Sequence, residues 1–73
     1  MNEIQFSLDG HAYIELCDLL KVTGVADSGG QGKFFVANGE VTVDGQPERR
    51  KRAKILPGQW VECLGTRIRV QAG

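Results

Sequence analysis

One histidine, two cysteines and two prolines stand among 73 residues, and the apolar runs, such as Phe34-Phe35-Val36-Ala37, are short. A bilayer crossing takes about 20 apolar residues, so no membrane span is expected. With His11 alone and no Cys-x-x-Cys spacing, the sequence offers no metal-ligand set. His11, Cys17 and Asp18 lie close in sequence but carry no such pattern, and no metal or other cofactor is implied. The start Met1-Asn2-Glu3 lacks the cationic and apolar regions of a secretory signal, which leads to the expectation of a cytoplasmic protein. In that compartment Cys17 and Cys63 are expected as free, largely buried thiols, Cys17 as a small hydrophobe beside a leucine stripe. A chain this short supports one domain, residues 1–73, with a small core and little room for an enclosed cavity. An enzyme and a small-molecule substrate are therefore not expected.

What is present is unevenly distributed charge. Nine basic and nine acidic side chains cancel overall. Residues 1–27 hold five acidic groups against Lys21, a balance of −4, and residues 28–73 hold eight basic groups against four acidic ones, a balance of +4. Distribution, rather than net charge, governs attraction to a polyanion.

The spacing of apolar residues predicts the elements. Ile4, Phe6 and Leu8 alternate with polar residues as in a half-buried strand, and Asp9-Gly10 turns the chain. From about Ile14 to Val22 the period lengthens, and Leu16, Leu19 and Leu20 form one stripe of a short helix that Gly24 stops. A second helix is predicted to open at Ser28, whose hydroxyl can accept from the Gln31 N–H while the Gln31 side chain reaches back; Asp27 competes as the cap. Gly32, Phe35 and Val36 would form its buried face, and Gly39 would end it. Gly29, Gly30 and Gly32 weaken its first turn, each by about 1 kcal/mol relative to Ala, which implies close packing against the first helix or close approach of a ligand backbone. Val41-Thr42-Val43 and Gln46-Pro47-Glu48 then read as a hairpin around Asp44-Gly45, with the Pro47 strand at an edge. After a Pro57-Gly58 turn, Gln59–Leu64 and Arg67–Gln71 alternate as two strands joined at Gly65-Thr66. Arg67 and Arg69 share one exposed face of the last strand, either a plain solvated face or an extension of the basic surface. Trp60 is expected to pack in the core; Tyr13 and Trp60 are alternative stacking residues for bases.

Between Glu48 and Ile55, five of the six residues Arg49, Arg50, Lys51, Arg52, Ala53 and Lys54 are cationic. Neither face of such a segment can be buried without desolvating unpaired charge, so it must be exposed. Alone, it reads equally as a solubilising loop or as a polyanion contact that releases condensed counterions.

The order of these elements resembles that of the S-four RNA-binding domain, the alpha-L motif, and more narrowly its short free-standing bacterial members. The resemblance is carried by Leu16, Leu19, Leu20, Gly24, Ser28, Gly39, Val41, Val43, Asp44, Gly45, the Pro57-Gly58-Gln59 turn and Val61, over roughly residues 15–62. It implies an α+β fold, two short packed helices with a small antiparallel sheet of hairpins, that binds structured RNA by shape and phosphate position. On this resemblance Ser28, Gly29, Gly30 and Lys33 at the second helix, with Arg49, Arg50, Lys51, Arg52 and Lys54, form the RNA-binding surface. Family members commonly carry an arginine directly after the serine; here that residue is Gly29, so residues 49–54 are expected to carry more of the charge. Catalytic domains to which the family's domain is often joined have no counterpart in these residues. The expected partner is structured RNA, ribosomal RNA or ribosomal particles in particular. The alternative from another class is a protein-interaction module that docks an acidic partner through the same basic segment.

Overall fold

Alternation and helical spacing produce nine elements in the computed structural model, which describes residues 2–73. In chain order they are β1 (Asn2–Ser7), β2 (Ile14–Glu15), α1 (Leu16–Val22), α2 (Gly29–Ala37), β3 (Val41–Val43), β4 (Gln46–Pro47), β5 (Lys54–Ile55), β6 (Trp60–Cys63) and β7 (Thr66–Gln71). Five strands form one sheet in the order β1-β7-β6-β3-β4, and β2 pairs with β5 in a second, two-stranded sheet. The fold is α+β, as expected, with one difference: the large sheet is mixed rather than antiparallel. β1 runs parallel to β7, Ile4 opposite Ile68 and Phe6 opposite Val70, so the two ends of the chain lie side by side.

Leu16, Leu19 and Leu20 are fully buried against Val36 of α2 and the inward residues of the sheet, Val41, Val61, Cys63, Ile68 and Val70. Each of those leucines contributes about 1.5–3 kcal/mol through burial. Ile4, Phe6 and Phe35 are half-buried at the margin of this core, and Cys17 and Cys63 are buried free thiols. The helix expected from Ile14 begins two residues later, because Ile14 and Glu15 are held extended opposite Ile55 and Lys54. Gly24 at φ +81° ends α1, and Gly39 at φ +77° follows α2, with the Gly39 N–H donating to Val36 O at 3.1 Å.

The hairpin turns carry positive φ at both central residues, 52° and 82° at Asp44-Gly45 and 52° and 78° at Leu64-Gly65, one residue before the expected Gly65-Thr66. Asp44 also ties its turn to β6: its carboxylate accepts from the Trp60 N–H at 3.0 Å and from Gln59 Nε2 at 3.1 Å. Trp60 itself corrects the expectation of core packing. In β6 the buried residues are Val61 and Cys63, so strand alternation turns Trp60 and Glu62 to the outer face.

α1 and α2 pack closely because Gly32 has no side chain. A Cβ there would lie 2.9 Å from the Cys17 carbonyl oxygen and 3.5 Å from Cys17 Cα. Gly30 is exposed, and a Cβ there would meet the Ser28 Oγ at an ordinary 3.8 Å. Overpacking of this kind costs about 1–3 kcal/mol, more than the ~1 kcal/mol of helix propensity that alanine adds. Gly32→Ala is therefore expected to lower the urea midpoint, whereas Gly30→Ala should hold or raise it. A Gly32→Ala protein more stable than the wild type would overturn this account of the helix pair.

Candidate nucleic-acid interface

The first turn of α1 has no side-chain cap. Glu15 occupies the N-cap position in extended conformation, φ −70° and ψ 143°, and its carboxylate makes no capping bond. The first free N–H groups are instead satisfied by the basic segment: Leu16 N–H donates to Ala53 O at 2.9 Å and Cys17 N–H to Lys51 O at 3.0 Å. A return bond from the Ala53 N–H to Arg50 O at 3.1 Å closes the turn, and the buried Ala53 and Ile55 fix its end in the core. Carbonyl dipoles meeting a helix N-terminus are electrostatically favourable. The consequence is that the backbone of residues 50–53 faces inward while Arg49, Arg50, Lys51, Arg52 and Lys54 are all exposed.

These five cations are not equivalent. Arg50 donates to Glu48 twice, from Nε at 3.0 Å and from its terminal nitrogen at 3.2 Å, and its N–H donates to the same carboxylate at 3.1 Å. Those bonds from Arg50 hold the Glu48 carboxyl below its usual range, and Glu48 raises Arg50 in turn. The Lys54 ammonium lies 5.0 Å from the centre of the Tyr13 ring. Arg49 lies across Gly39, where a Cβ would be 3.2 Å from its guanidinium, beside the C-terminal end of α2. Lys51 and Arg52 have neither an ion pair nor an aromatic partner among the described residues.

The start of α2 reaches the same neighbourhood through Cys17. Ser28 is the N-cap, its Oγ accepting from the Gln31 N–H at 3.1 Å. The Gln31 side chain does reach back, but it accepts from the Asp27 N–H, one residue before the cap. Gly32 rests on Cys17, which is bonded in turn to Lys51, so the first turn of α2 and the basic loop meet α1 at one residue. Gly29 is half-buried, Gly30 and Lys33 are exposed. Lys21 joins this group unforeseen: its side chain passes 4.0 Å from where a Gly29 Cβ would stand. Its place in the last turn of α1, a short connection before α2, was the available signal.

Arg67 and Arg69 lie elsewhere, on the outer face of the sheet, and are already paired. The Arg67 guanidinium sits 4.7 Å from the Trp60 ring and 3.7 Å from Glu62, while Arg69 is 3.3 Å from Glu3. The charges of that face cancel. His11, Tyr13, Glu15 and Asp18 line a shallow open cleft, but no group of metal-ligating side chains occurs among the described residues. Burial, with Glu40 nearby, pushes the Cys63 thiol up, away from a reactive thiolate.

Residues 6–71 match the model of the S4 domain family. The Escherichia coli (strain K12) protein YbcJ, named as a candidate RNA-binding protein, is 51% identical over 67 residues, covering 92% of this chain and 96% of that one. A Bacillus subtilis (strain 168) protein, RlbA, named as a candidate ribosome maturation protein, is 38% identical over 52 residues, covering 71% and 73%. The solution structure of E. coli YbcJ, described as revealing an alpha-L motif involved in RNA binding, superposes with a TM-score of 0.76 at 49% identity, covering 99% of this chain and 91% of that one.

The Glu48–Arg50 pair makes a pH dependence. Because folding lowers the Glu48 pKa, the stability it adds is complete above the usual carboxylate range and fades as pH falls through the lowered value. Urea midpoints of the wild type and Glu48→Gln are expected to differ at neutral pH and to converge in acid. An advantage of the wild type that persists undiminished below the carboxylate range would refute a stabilising role for this pair.

Proposed function

Since the chain belongs to the S4 domain family, we propose that it binds structured RNA without catalysis, through Arg49, Arg50, Lys51, Arg52 and Lys54 and the start of α2. The single observation that carries this reading is the basic loop held by its backbone. Two helix N–H groups fix it through the Ala53 and Lys51 carbonyls, leaving five cationic side chains in water. Such an arrangement is anchored while only Arg50 is neutralised, by Glu48, and a polyanion that displaces the counterions of the rest gains affinity from both properties. Ser28, Gly29 and Gly30 open a helix N-terminus where backbone N–H groups can approach a phosphate, with Lys33 and Lys21 beside them.

The target is ribosomal RNA, and the protein acts in the cytoplasm on ribosomal particles. The name of YbcJ supports an RNA target and that of RlbA the ribosomal choice, together with a surface suited to shape and phosphate position rather than to base edges. The small size and the burial of both thiols favour a binding protein over an enzyme. An acidic protein partner would use the same loop, and nuclease treatment after crosslinking in cells separates the two: association with ribosomal particles should disappear when RNA is digested.

For binding to ribosomal RNA, log K is expected to fall against log salt with a slope of about −4, each cation contributing about 0.9. The triple change of Arg49, Lys51 and Arg52 to Ala should flatten that slope by roughly 2–3. Arg69→Gln, on the self-neutralised sheet face, should leave affinity within about twofold, as expected for an exposed pair. A slope near zero, or equal losses from loop and sheet variants, would sink the proposal.

A further inference from the structure

Stacking on an aromatic ring is the usual way a protein holds an unpaired nucleotide, and four of the five aromatic rings here are committed elsewhere. Phe6 and Phe35 pack against the core. Tyr13 has the Lys54 ammonium 5.0 Å from its ring centre, and Trp60 has Arg67 at 4.7 Å on the opposite face of the molecule. Phe34 is different. It is 59% exposed, carries no cation over its ring among the described residues, and touches Phe35 in a tilted contact with centroids 6.2 Å apart.

The position of Phe34 in α2 explains why it is bare. Gly32 and Val36 are the buried residues of this helix, and Phe34, halfway between them, falls about 160–200° around the axis, opposite the core. Helical side chains lean toward the N-terminus, so this ring leans toward Gly30, one turn earlier. Gly30 has no side chain to cover it, and the space a Cβ would occupy there has the Ser28 Oγ as its near neighbour, at 3.8 Å. Lys33 is the next residue on the same exposed side. An apolar ring thus stands in water about one and a half turns along the helix whose start is proposed to hold phosphate, and leans toward that start.

We propose that Phe34 is a stacking platform for an unpaired nucleotide of the bound RNA. The recognised RNA is then structured RNA interrupted by a bulge or loop, not an unbroken duplex. This rests on the RNA-binding reading above and adds a contact without charge to it. The basic loop supplies affinity for any RNA backbone, whereas Phe34 discriminates in favour of a nucleotide free to leave the helix. Base–aromatic stacking of this kind corresponds to roughly tenfold in affinity per base.

The test uses two hairpin RNAs of identical stem sequence, one with a single-nucleotide bulge and one fully paired, titrated at low ionic strength. Wild-type protein should bind both and prefer the bulged RNA by about tenfold. Phe34→Ala should lose that preference, retain affinity for the paired hairpin within about twofold, and keep the salt slope unchanged. Phe34→Trp should restore the preference. Because Phe34 is exposed, a matching urea midpoint for Phe34→Ala is expected and excludes misfolding as the cause of loss. Equal affinity of wild-type protein for the two RNAs, or equal losses on both from Phe34→Ala, would overturn the stacking role while leaving the basic-loop reading in place. Wild-type protein that binds neither RNA would overturn the RNA reading itself, and the stacking role with it.

Discussion

Two hydrogen bonds at the beginning of α1 organise the surface that matters. Leu16 and Cys17 are the first N–H donors of a seven-residue helix whose N-cap residue, Glu15, gives no side-chain oxygen. An unpaired backbone donor in a buried place costs about 1–3 kcal/mol, a large part of what a chain this small has to spare. Ala53 O and Lys51 O satisfy them, and the buried Ala53 and Ile55 hold those carbonyls in position. Detaching the basic loop would therefore uncover a helix end and part of the core together. The loop is fixed by its main chain and by the buried Ala53, which leaves Lys51 and Arg52 without a structural partner among the described residues. At Cys17 the same device meets the second helix, because Gly32 lies against the carbonyl of the residue whose N–H is bonded to Lys51. Loop, α1 and α2 are thereby tied at a single position.

This arrangement accounts for how a chain of zero net charge presents a cationic face. Charges on the outer face of the sheet are matched across strands, Glu3 with Arg69 and Glu62 with Arg67. Among the described residues, charges on the loop are matched only by Glu48, which takes Arg50. Repulsion among the remaining loop cations is spread over different neighbours: the α2 C-terminus beside Arg49, the Tyr13 ring beneath Lys54 and solvent around Lys51 and Arg52. Each of these is a weaker partner than a carboxylate. The two faces differ because both arginines of the sheet face have carboxylate partners, whereas on the loop only Arg50 has one among the described residues.

What was legible in the sequence is what local chemistry decides. Ser28 caps α2 through the Gln31 N–H, Gly24 and Gly39 terminate helices at positive φ, and Asp44-Gly45 builds its hairpin, because each depends on residues within a few positions. The parallel pairing of β1 with β7 was not legible, since Ile4 meets Ile68 across nearly the whole chain and either strand alone would serve an antiparallel sheet. Ile14 and Glu15 read as helix because a two-residue strand is too short to show alternation; only the distant Lys54 and Ile55 make it one. Trp60 reads as a core residue because it is large and aromatic within a strand pattern, yet register with Val61 and Cys63 turns it outward, where Arg67 covers it. The exposed basic run was visible from composition, but its attachment to the helix end involves only backbone atoms and left no trace in residue identity.

The glycine that follows Ser28 takes on a different meaning in this setting. The resemblance to the S-four domain implies an arginine directly after Ser28, where this chain has Gly29. The helix pair brings Lys21 from the last turn of α1 to within van der Waals reach of the missing Cβ, at 4.0 Å. A long side chain at position 29 would compete with Lys21 for that space, whereas glycine leaves it free. The cation beside the helix start is thus supplied by the neighbouring helix, at the cost of a first turn weakened by Gly29 and Gly30. That cost is offset where α2 meets α1, since the close approach at Gly32 and the full burial of Val36 hold the helix after its weak opening turn. The first turn of α2 is consequently stabilised from outside itself, and its exposed surface is left almost bare of side chains at the point where a phosphate would have to come nearest to the backbone.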